Sequence, residues 1–269
     1  MKYLFDHRQE LETALGGKRL LLMLDFDGTL APIAPTPADA EMPAETRLAL
    51  ERLSGSPGCT VIVVSGRALS DVRDKTGVGG ITYVGNHGLE MARPNEEPRL
   101  LARPQSDAVM TRMKENLTTA LAPFEGVIIE DKGYSLAVHY RMVRSDDRPR
   151  VKAAVHETVE VYGGEGRMEL GAGSMVLELR PPLGCDKGTI VAGLLESEAR
   201  RNAVKPFAMY CGDDVTDEDA FKAIRGRGWA VLVGTPRISY AEYYLNDPIE
   251  VRRLLLIFAE RCSKAGFEA

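Results

Sequence analysis

Two aspartates, Asp25 and Asp27, stand one residue apart in the stretch LLLMLDFDGTLAPI, directly after an apolar run that ends at Leu24. A carboxylate taken out of water costs free energy unless something compensates it. Such a pair therefore either caps a turn or shares a cation. Other apolar runs end in the same way: Ser65 follows CTVIVV, Asn86 and His87 follow ITYVG, and Asp213 and Asp214 follow PFAMYCG. Clustered hard oxygen donors suit Mg²⁺, which takes one or two carboxylates and leaves its other positions to water and phosphate. A carboxylate at such a site can also attack phosphorus, splitting hydrolysis into two steps through an aspartyl-phosphate. That chemistry needs a proton donor for the leaving oxygen, and cations or N–H groups for the phosphoryl oxygens. Asp25 suits the attack and Asp27 the proton transfer. Ser65 and Lys187 suit the phosphoryl oxygens, one by hydroxyl and one by charge. Gly28 lets the backbone turn closely around a phosphate, and Thr29 begins the next segment.

These residues converge only if the elements before them lie side by side. RLLLMLDFDG reads as a strand buried on both faces and CTVIVVSGR and ITYVGNHG as two further strands, with helices in PAETRLALERLSGSPG, stopping at Gly55 and Pro57, and in ALSDVRDKTG between them. Helical spacing at Leu48, Leu50 and Leu53 marks the buried face of the first of these helices, and a shorter helix is expected over 6–15. Strand–helix alternation of this kind implies an α/β doubly wound, Rossmann-like sheet, whose ligands bind outside the carboxyl ends of the strands. The pattern then changes. RPNEEPRLLARP reads as a connection. Helix, two strands, helix, two strands follow, the mark of an α+β unit with an antiparallel sheet. Alternation returns after Pro181-Pro182. The expected organisation is a core of 1–103 and 183–269, interrupted by an inserted domain over 104–182.

In order along the chain, DFDGT, SGR, Lys187 and GDDVTDE resemble the four motifs of haloacid dehalogenase-like phosphatases. That resemblance implies Asp25 as nucleophile, Asp27 as acid/base, and Mg²⁺ between Asp25, the main-chain carbonyl of Asp27 and Asp213. Asp214, carried among the metal residues, and Asp217 are left unranked as candidates for outer-shell or alternative ligation. It also implies that the insertion is a type-2 cap, an α+β lid that closes to exclude water and selects the substrate. Within the superfamily, GNHGLE, IEDKGYSLAVHYR, VLELRP and GDDVTDEDAF are similar to the trehalose-6-phosphate phosphatases. Membership implies a Mg²⁺-dependent phosphatase for trehalose 6-phosphate in trehalose biosynthesis. Its expected substrate contacts are Gly28, Thr29, Asn86, His87, Glu130, Lys132, His139, Arg141 and Glu178. Charged acceptors and forked donors of this kind discriminate sugar hydroxyls. Two departures from the pattern are Asn86, where some members carry an acid, and the Cys185-Asp186 pair before Lys187. Phosphatases for sucrose 6-phosphate or mannosyl-3-phosphoglycerate share the cap class. A non-catalytic sugar-phosphate-binding regulator on this fold would be expected to lack one of Asp25, Asp27 or Asp213, and all three are present.

Each residue also has a plainer reading. Ser65 has the position to cap the helix after it. Glu218 and Asp219 are acids in a first helical turn, where the dipole favours them. Arg67 reads as a salt-bridge or surface residue rather than a catalytic one, and His7, His156 and Trp229 as structural.

The 269 residues are 44% hydrophobic and 27% charged, with a net charge of −5. That composition is globular and excludes a disordered chain. It carries no Lys/Arg block of the kind that binds nucleic acid. The cysteines Cys59, Cys185, Cys211 and Cys262 have no metal or disulfide spacing and read as small buried residues of a reducing compartment. No stretch reaches the roughly 18 apolar residues of a membrane span, and the N-terminus lacks the apolar core of a signal peptide. A cytoplasmic monomer is expected, working on a small sugar phosphate without nucleic acid or membrane, in the same pathway as a trehalose-6-phosphate synthase.

Overall fold

A computed structural model describes residues 1–101, 107–162, 168–182, 184, 186–201 and 204–264. The chain divides into two compact units. The first comprises 1–34, 40–101 and 185–269, and the second 35–39 and 102–184. The junctions expected after 103 and before 183 fall on residues outside the described set, as does Cys185.

The first unit is built on nine strands. In chain order its elements are β1 (Lys2–Tyr3), α1 (Arg8–Leu15), β2 (Leu20–Leu24), α2 (Ala44–Ser54), β3 (Cys59–Val64), α3 (Leu69–Thr76), β4 (Thr82–Gly85), β5 (Glu90–Ala92) and β6 (Arg99–Leu100). The second unit contributes α4 (Asp107–Leu121), β7 (Ile128–Asp131), β8 (Leu136–His139), α5 (Arg148–Tyr162), β9 (Glu169–Gly173) and β10 (Val176–Arg180). The chain then returns to the first unit with α6 (Lys187–Arg201), β11 (Phe207–Gly212), α7 (Asp217–Ile224), β12 (Gly228–Val233), β13 (Tyr243–Leu245) and α8 (Pro248–Lys264).

The large sheet has the order β1-β13-β12-β11-β2-β3-β4-β5-β6. It is parallel from β1 to β4, and the last two strands turn back antiparallel. The continuous apolar run of β2 follows from its place at the centre. Leu20, Leu22 and Leu24 enter the core shared with Leu50 and Leu53 of α2 and Leu254 and Phe258 of α8. Leu21 and Met23 enter the opposite core, with Val191 of α6 and Phe221 of α7. Burying each leucine stabilises the fold by about 1.5–3 kcal/mol. Because β11, β2, β3 and β4 are parallel neighbours, their carboxyl ends share one edge of the sheet. The strand order reverses between β2 and β11, which is where open α/β sheets place their ligands.

Three local expectations are corrected. The helix expected from residue 6 begins at Arg8, after a single 3₁₀ turn over Leu4–His7. Leu48 is 53% exposed, and the buried face of α2 is Thr46, Ala49, Leu50 and Leu53. The segment 93–104, read as a connection, holds β6, which pairs with β5 just before it and extends the sheet. Two short strands, β1 and β13, form its opposite edge. Strands of two or three residues carry too little alternation to read.

The second unit has the antiparallel sheet order β7-β8-β10-β9. Leu136, Val138, Leu177 and Leu179 face a core with Met113 and Leu117 of α4 and Val151 and Val155 of α5. Period-two alternation puts Glu130, Ala137 and Glu178, which pair directly across three strands, on the other face. His139 lies on that face too, two residues along from Ala137. No described helix is long and apolar enough to cross a membrane.

Candidate active site

At the carboxyl edge of the large sheet, three acids of β2, β11 and α7 meet one lysine. Lys187, the first residue of α6, places Nζ 2.7 Å from Asp25 Oδ1 and 2.7 Å from Asp217 Oδ1. Carboxylate oxygens of Asp25, Asp213 and Asp217 all lie within 4.8 Å of one another. Asp217 is fully buried and held from four sides. Tyr210 donates its hydroxyl to Oδ1 at 2.7 Å, and the main-chain N–H groups of Asp213 and Asp214 donate to Oδ2 at 3.0 Å. It thus closes the loop between β11 and α7 and anchors Lys187 in one stroke. Burial works against the Lys187 ammonium, but the carboxylates of Asp217 and Asp25 outweigh it and hold its pKa well above the usual value. Burial pushes Asp25 up to about 8, against the pull of Lys187. Burial and the neighbouring Asp25 and Asp217 charges push Asp213 up to about 9. Three carboxyl groups face a single ammonium, so ionising all three would leave two negative charges unbalanced, and that repulsion adds to burial in raising Asp25 and Asp213. A divalent cation with hard oxygen ligands is the group that fits this donor set.

Two glycines make room for these acids. Gly28 has φ +79, and a Cβ there would lie 2.0 Å from Asp213 Oδ2. Its small size is therefore used by Asp213, where the sequence suggested close approach of a phosphate. A Cβ at Gly212 would lie 2.3 Å from Asp217 Cγ. Thr29, next in the loop, is fully buried, and its hydroxyl has no hydrogen-bond partner among the described residues.

Asp27 does not join the acidic cluster through its carboxylate. Arg67 grips it by both oxygens, Nε to Oδ2 at 2.7 Å and Nη2 to Oδ1 at 2.8 Å. Arg67 is only 6% exposed, is tied at Nη1 to Asp71 (2.6 Å), and lies over the Phe26 ring. The salt-bridge reading of Arg67 fits this geometry and the surface reading does not. Burial acts to lower its pKa, and the two carboxylates raise it further than burial lowers it.

Ser65 is buried and its Oγ accepts the Arg67 main-chain N–H at 3.2 Å. It does not cap α3. The cap position is Ala68, and Glu90 Oε2 instead takes the Leu69 N–H at 3.2 Å. Asn86 and His87 both adopt left-handed backbone, φ 48 and 54, a conformation costing non-glycine residues roughly 1–3 kcal/mol each. The loop after β3 holds them there: Asn86 N–H donates to Arg67 O at 2.7 Å and His87 N–H to Ser65 O at 3.1 Å. Both side chains are 6% exposed, and the His87 ring packs over Gly66.

The edge thus gathers Asp25, Asp27, Ser65, Asn86, His87, Lys187 and Asp213. Among the described residues Asp214 is not in the acidic cluster, which Asp217 completes. Glu218 accepts from Ser239 Oγ and the Tyr240 N–H, a structural use. Sequence reasoning missed Tyr210, which reads as one more apolar residue of its strand, and underrated Arg67, which sits in the open within SGR.

Within the second unit, the five residues expected to contact sugar are paired. Lys132 donates to Glu178 Oε1 at 2.7 Å, and Lys132 is 8% exposed. His139 Nε2 lies 2.8 Å from Glu130 Oε2, and Arg141 donates to Ser174 O at 2.9 Å. Both pairs lie on the face of the sheet turned away from that unit's core.

A family model described as trehalose-phosphatase matches residues 23–248. A probable trehalose-phosphate phosphatase 4 of Oryza sativa subsp. japonica is 33% identical, over 94% of this chain and 69% of the relative. A trehalose-phosphate phosphatase of Mycobacterium avium (strain 104) is 37% identical over 81% of this chain, which spans 56% of that longer protein. Among solved structures, the C-terminal domain of Candida albicans trehalose-6-phosphate phosphatase superposes with a TM-score of 0.82. It is 26% identical and covers 94% of this chain and 96% of that one.

Proposed function

The chain belongs to the trehalose-phosphatase family of haloacid dehalogenase-like hydrolases, and on that premise we propose that it converts trehalose 6-phosphate to trehalose and phosphate through an aspartyl-phosphate on Asp25. The observation that carries the reading is the pair of unlike aspartates. Asp25 lies in the acidic cluster against Lys187, and Asp27, two residues on, has its carboxylate outside that cluster.

In the first step a carboxylate oxygen of Asp25 attacks phosphorus. The Asp25–phosphorus bond forms as the sugar oxygen–phosphorus bond breaks, and Asp27 gives its proton to the departing sugar oxygen. In the second step Asp27 takes a proton from water as the water oxygen bonds to phosphorus. Phosphate then leaves and Asp25 is regenerated. Lys187, kept charged by its two carboxylate partners, holds Asp25 in place and faces the developing phosphoryl charge. Mg²⁺ would be held by the carboxylates of Asp25 and Asp213, with Asp27 contributing its main-chain carbonyl. When bound it would supply the positive charge that the three acids lack and polarise the phosphoryl group. Asp217 then acts behind the reacting groups, fixing Lys187 and the backbone of Asp213.

Glu130, Lys132, His139, Arg141 and Glu178 supply sugar recognition in this reading. The Lys132–Glu178 and His139–Glu130 pairs and the Arg141 guanidinium offer acceptors and donors that glucose hydroxyls can share, and a sugar lacking a matching hydroxyl leaves such groups unpaired. The test is phosphate release from a panel of trehalose 6-phosphate, sucrose 6-phosphate, mannosyl-3-phosphoglycerate and glucose 6-phosphate, each with Mg²⁺ and with chelator. Turnover of trehalose 6-phosphate well above the rest, and only with Mg²⁺, is the expected outcome. Preference for another member, or full turnover in chelator, would refute the reading.

A further inference from the structure

We infer that Arg67 is a positioning residue, one that aims the Asp27 carboxylate through two parallel hydrogen bonds and is itself aimed by Asp71. The inference rests on the two-step reading above. Asp27 is the group that moves protons in both steps, so its direction matters twice, and the fork as seen holds the ionised form that takes the proton of water in the second step. Its own backbone does little to fix that direction, because an aspartate side chain turns about two bonds. The fork of Arg67 fixes it: Nε and Nη2 reach one carboxylate oxygen each, at 2.7 and 2.8 Å. A planar donor pair of this kind sets angle as well as distance. Arg67 in turn has little freedom. Nη1 is bound to Asp71 at 2.6 Å, the guanidinium lies 5.4 Å from the Phe26 ring centroid, and the residue is 6% exposed. Its main chain is fixed too, with N–H to Ser65 Oγ and C=O to the Asn86 N–H. The loop after β3 therefore sets the aim of a side chain that belongs to the loop after β2.

The two steps depend on that aim unequally when the leaving group is changed. p-Nitrophenolate departs from phosphorus without needing a proton, so the first step tolerates a misdirected Asp27. Attack of water on the aspartyl-phosphate does not tolerate it, since the proton of water must still reach the carboxylate. Loss of aim should make the second step limiting for the aryl substrate and slow both steps for the sugar phosphate.

The experiment is stopped-flow release of p-nitrophenolate from p-nitrophenyl phosphate by the Mg²⁺-loaded protein. Wild type, Arg67→Gln, Arg67→Lys, Asp71→Asn and Asp25→Asn are compared. Arg67→Gln is expected to give a burst approaching one equivalent per enzyme, then a steady rate about 100-fold below wild type, the scale of a misplaced catalytic group. Arg67→Lys keeps the charge but not the fork, and should recover only part of that rate. Asp71→Asn removes only the anchor, and should show the same burst with a smaller loss. A burst-free trace at wild-type rate in Arg67→Gln overturns the inference. So does a slower, burst-free trace in both Arg67→Gln and Asp71→Asn, which marks a merely structural arginine. Continued turnover by Asp25→Asn would instead strike the aspartyl-phosphate reading beneath it.

Discussion

Gly28 and Asp213 occupy each other's space: a Cβ on residue 28 would sit 2.0 Å from Asp213 Oδ2. The loop of the first acidic motif and the acid of the last are thereby fitted together at one point, between β2 and β11. Gly28→Ala must either displace Asp213 or reshape a turn at φ +79, a strain of roughly 1–3 kcal/mol before any clash is counted. Weaker Mg²⁺ binding by calorimetry is expected, by about tenfold or more for each 1.4 kcal/mol transferred to the site. Unchanged Mg²⁺ affinity in a folded Gly28→Ala protein would show that Asp213 is not a ligand.

Asp217→Asn tests the anchor. An amide nitrogen in place of Oδ2 would point at the main-chain N–H groups of Asp213 and Asp214, which now donate at 3.0 Å. Breaking a buried charge network costs about 3–5 kcal/mol, which is roughly 10 °C in Tm for a chain of this size. Tyr210→Phe removes one donor only and should cost about 1 kcal/mol, with kcat nearly kept. Thermal unfolding of the two variants side by side checks the contrast. Equal losses would mean that Asp217 matters only through Tyr210.

The acidic cluster also sets a pH dependence. Asp25 and Asp213 are raised from 3.8 to about 8 and about 9 in the folded, metal-free chain. The unfolded chain gives up these protons first, so above its ordinary aspartate pKa it binds fewer than the folded state. Stability from these two groups therefore falls as pH rises from about 4 towards about 9. Mg²⁺ should cancel the repulsion, so its effect on Tm should be larger near pH 9 than near pH 6. At 100-fold over its Kd it should add about 2.7 kcal/mol, or roughly 5–10 °C. Calorimetric Tm values with and without Mg²⁺ at the two pH values decide it. A Mg²⁺ shift that shrinks with rising pH would contradict the cluster as the metal site.

Glu178→Gln separates sugar recognition from phosphoryl transfer. The change removes the charge paired with buried Lys132. kcat/KM for trehalose 6-phosphate should fall about 100-fold, and that for p-nitrophenyl phosphate within about threefold, because the aryl ester has no hydroxyls to recognise. Equal losses on both substrates would remove Glu178 from sugar recognition.

Much of this was readable from residue order. Alternation in the core is hidden inside LLLML, yet the length of the run and the acids after it mark a central parallel strand and the edge where the acids gather. The hairpins of the second unit show in the alternation around Leu136 and Val138. What stayed hidden depends on partners distant in sequence. Arg67 shows its hold on Asp27 only once β2 and β3 are neighbours. Gly28 looks like a phosphate turn until Asp213, 185 residues later, fills the space beside it. Asp214 and Asp217 are equal candidates on spelling alone. The α7 helix turns Asp217 inward to Lys187, while Asp214 contributes its main-chain N–H. Leu48 has the spacing of a core residue and faces solvent, because leucine is tolerated on surfaces.

The central claim is that Asp25 carries the phosphoryl group, and Asp25→Asn tests it most directly. Phosphate release from trehalose 6-phosphate is measured with Mg²⁺ for the variant and for wild type, with circular dichroism confirming that both are folded. The account predicts steady release by wild type and none above background by the variant, since an amide is no nucleophile towards phosphorus. Substantial release by a folded Asp25→Asn protein would contradict it.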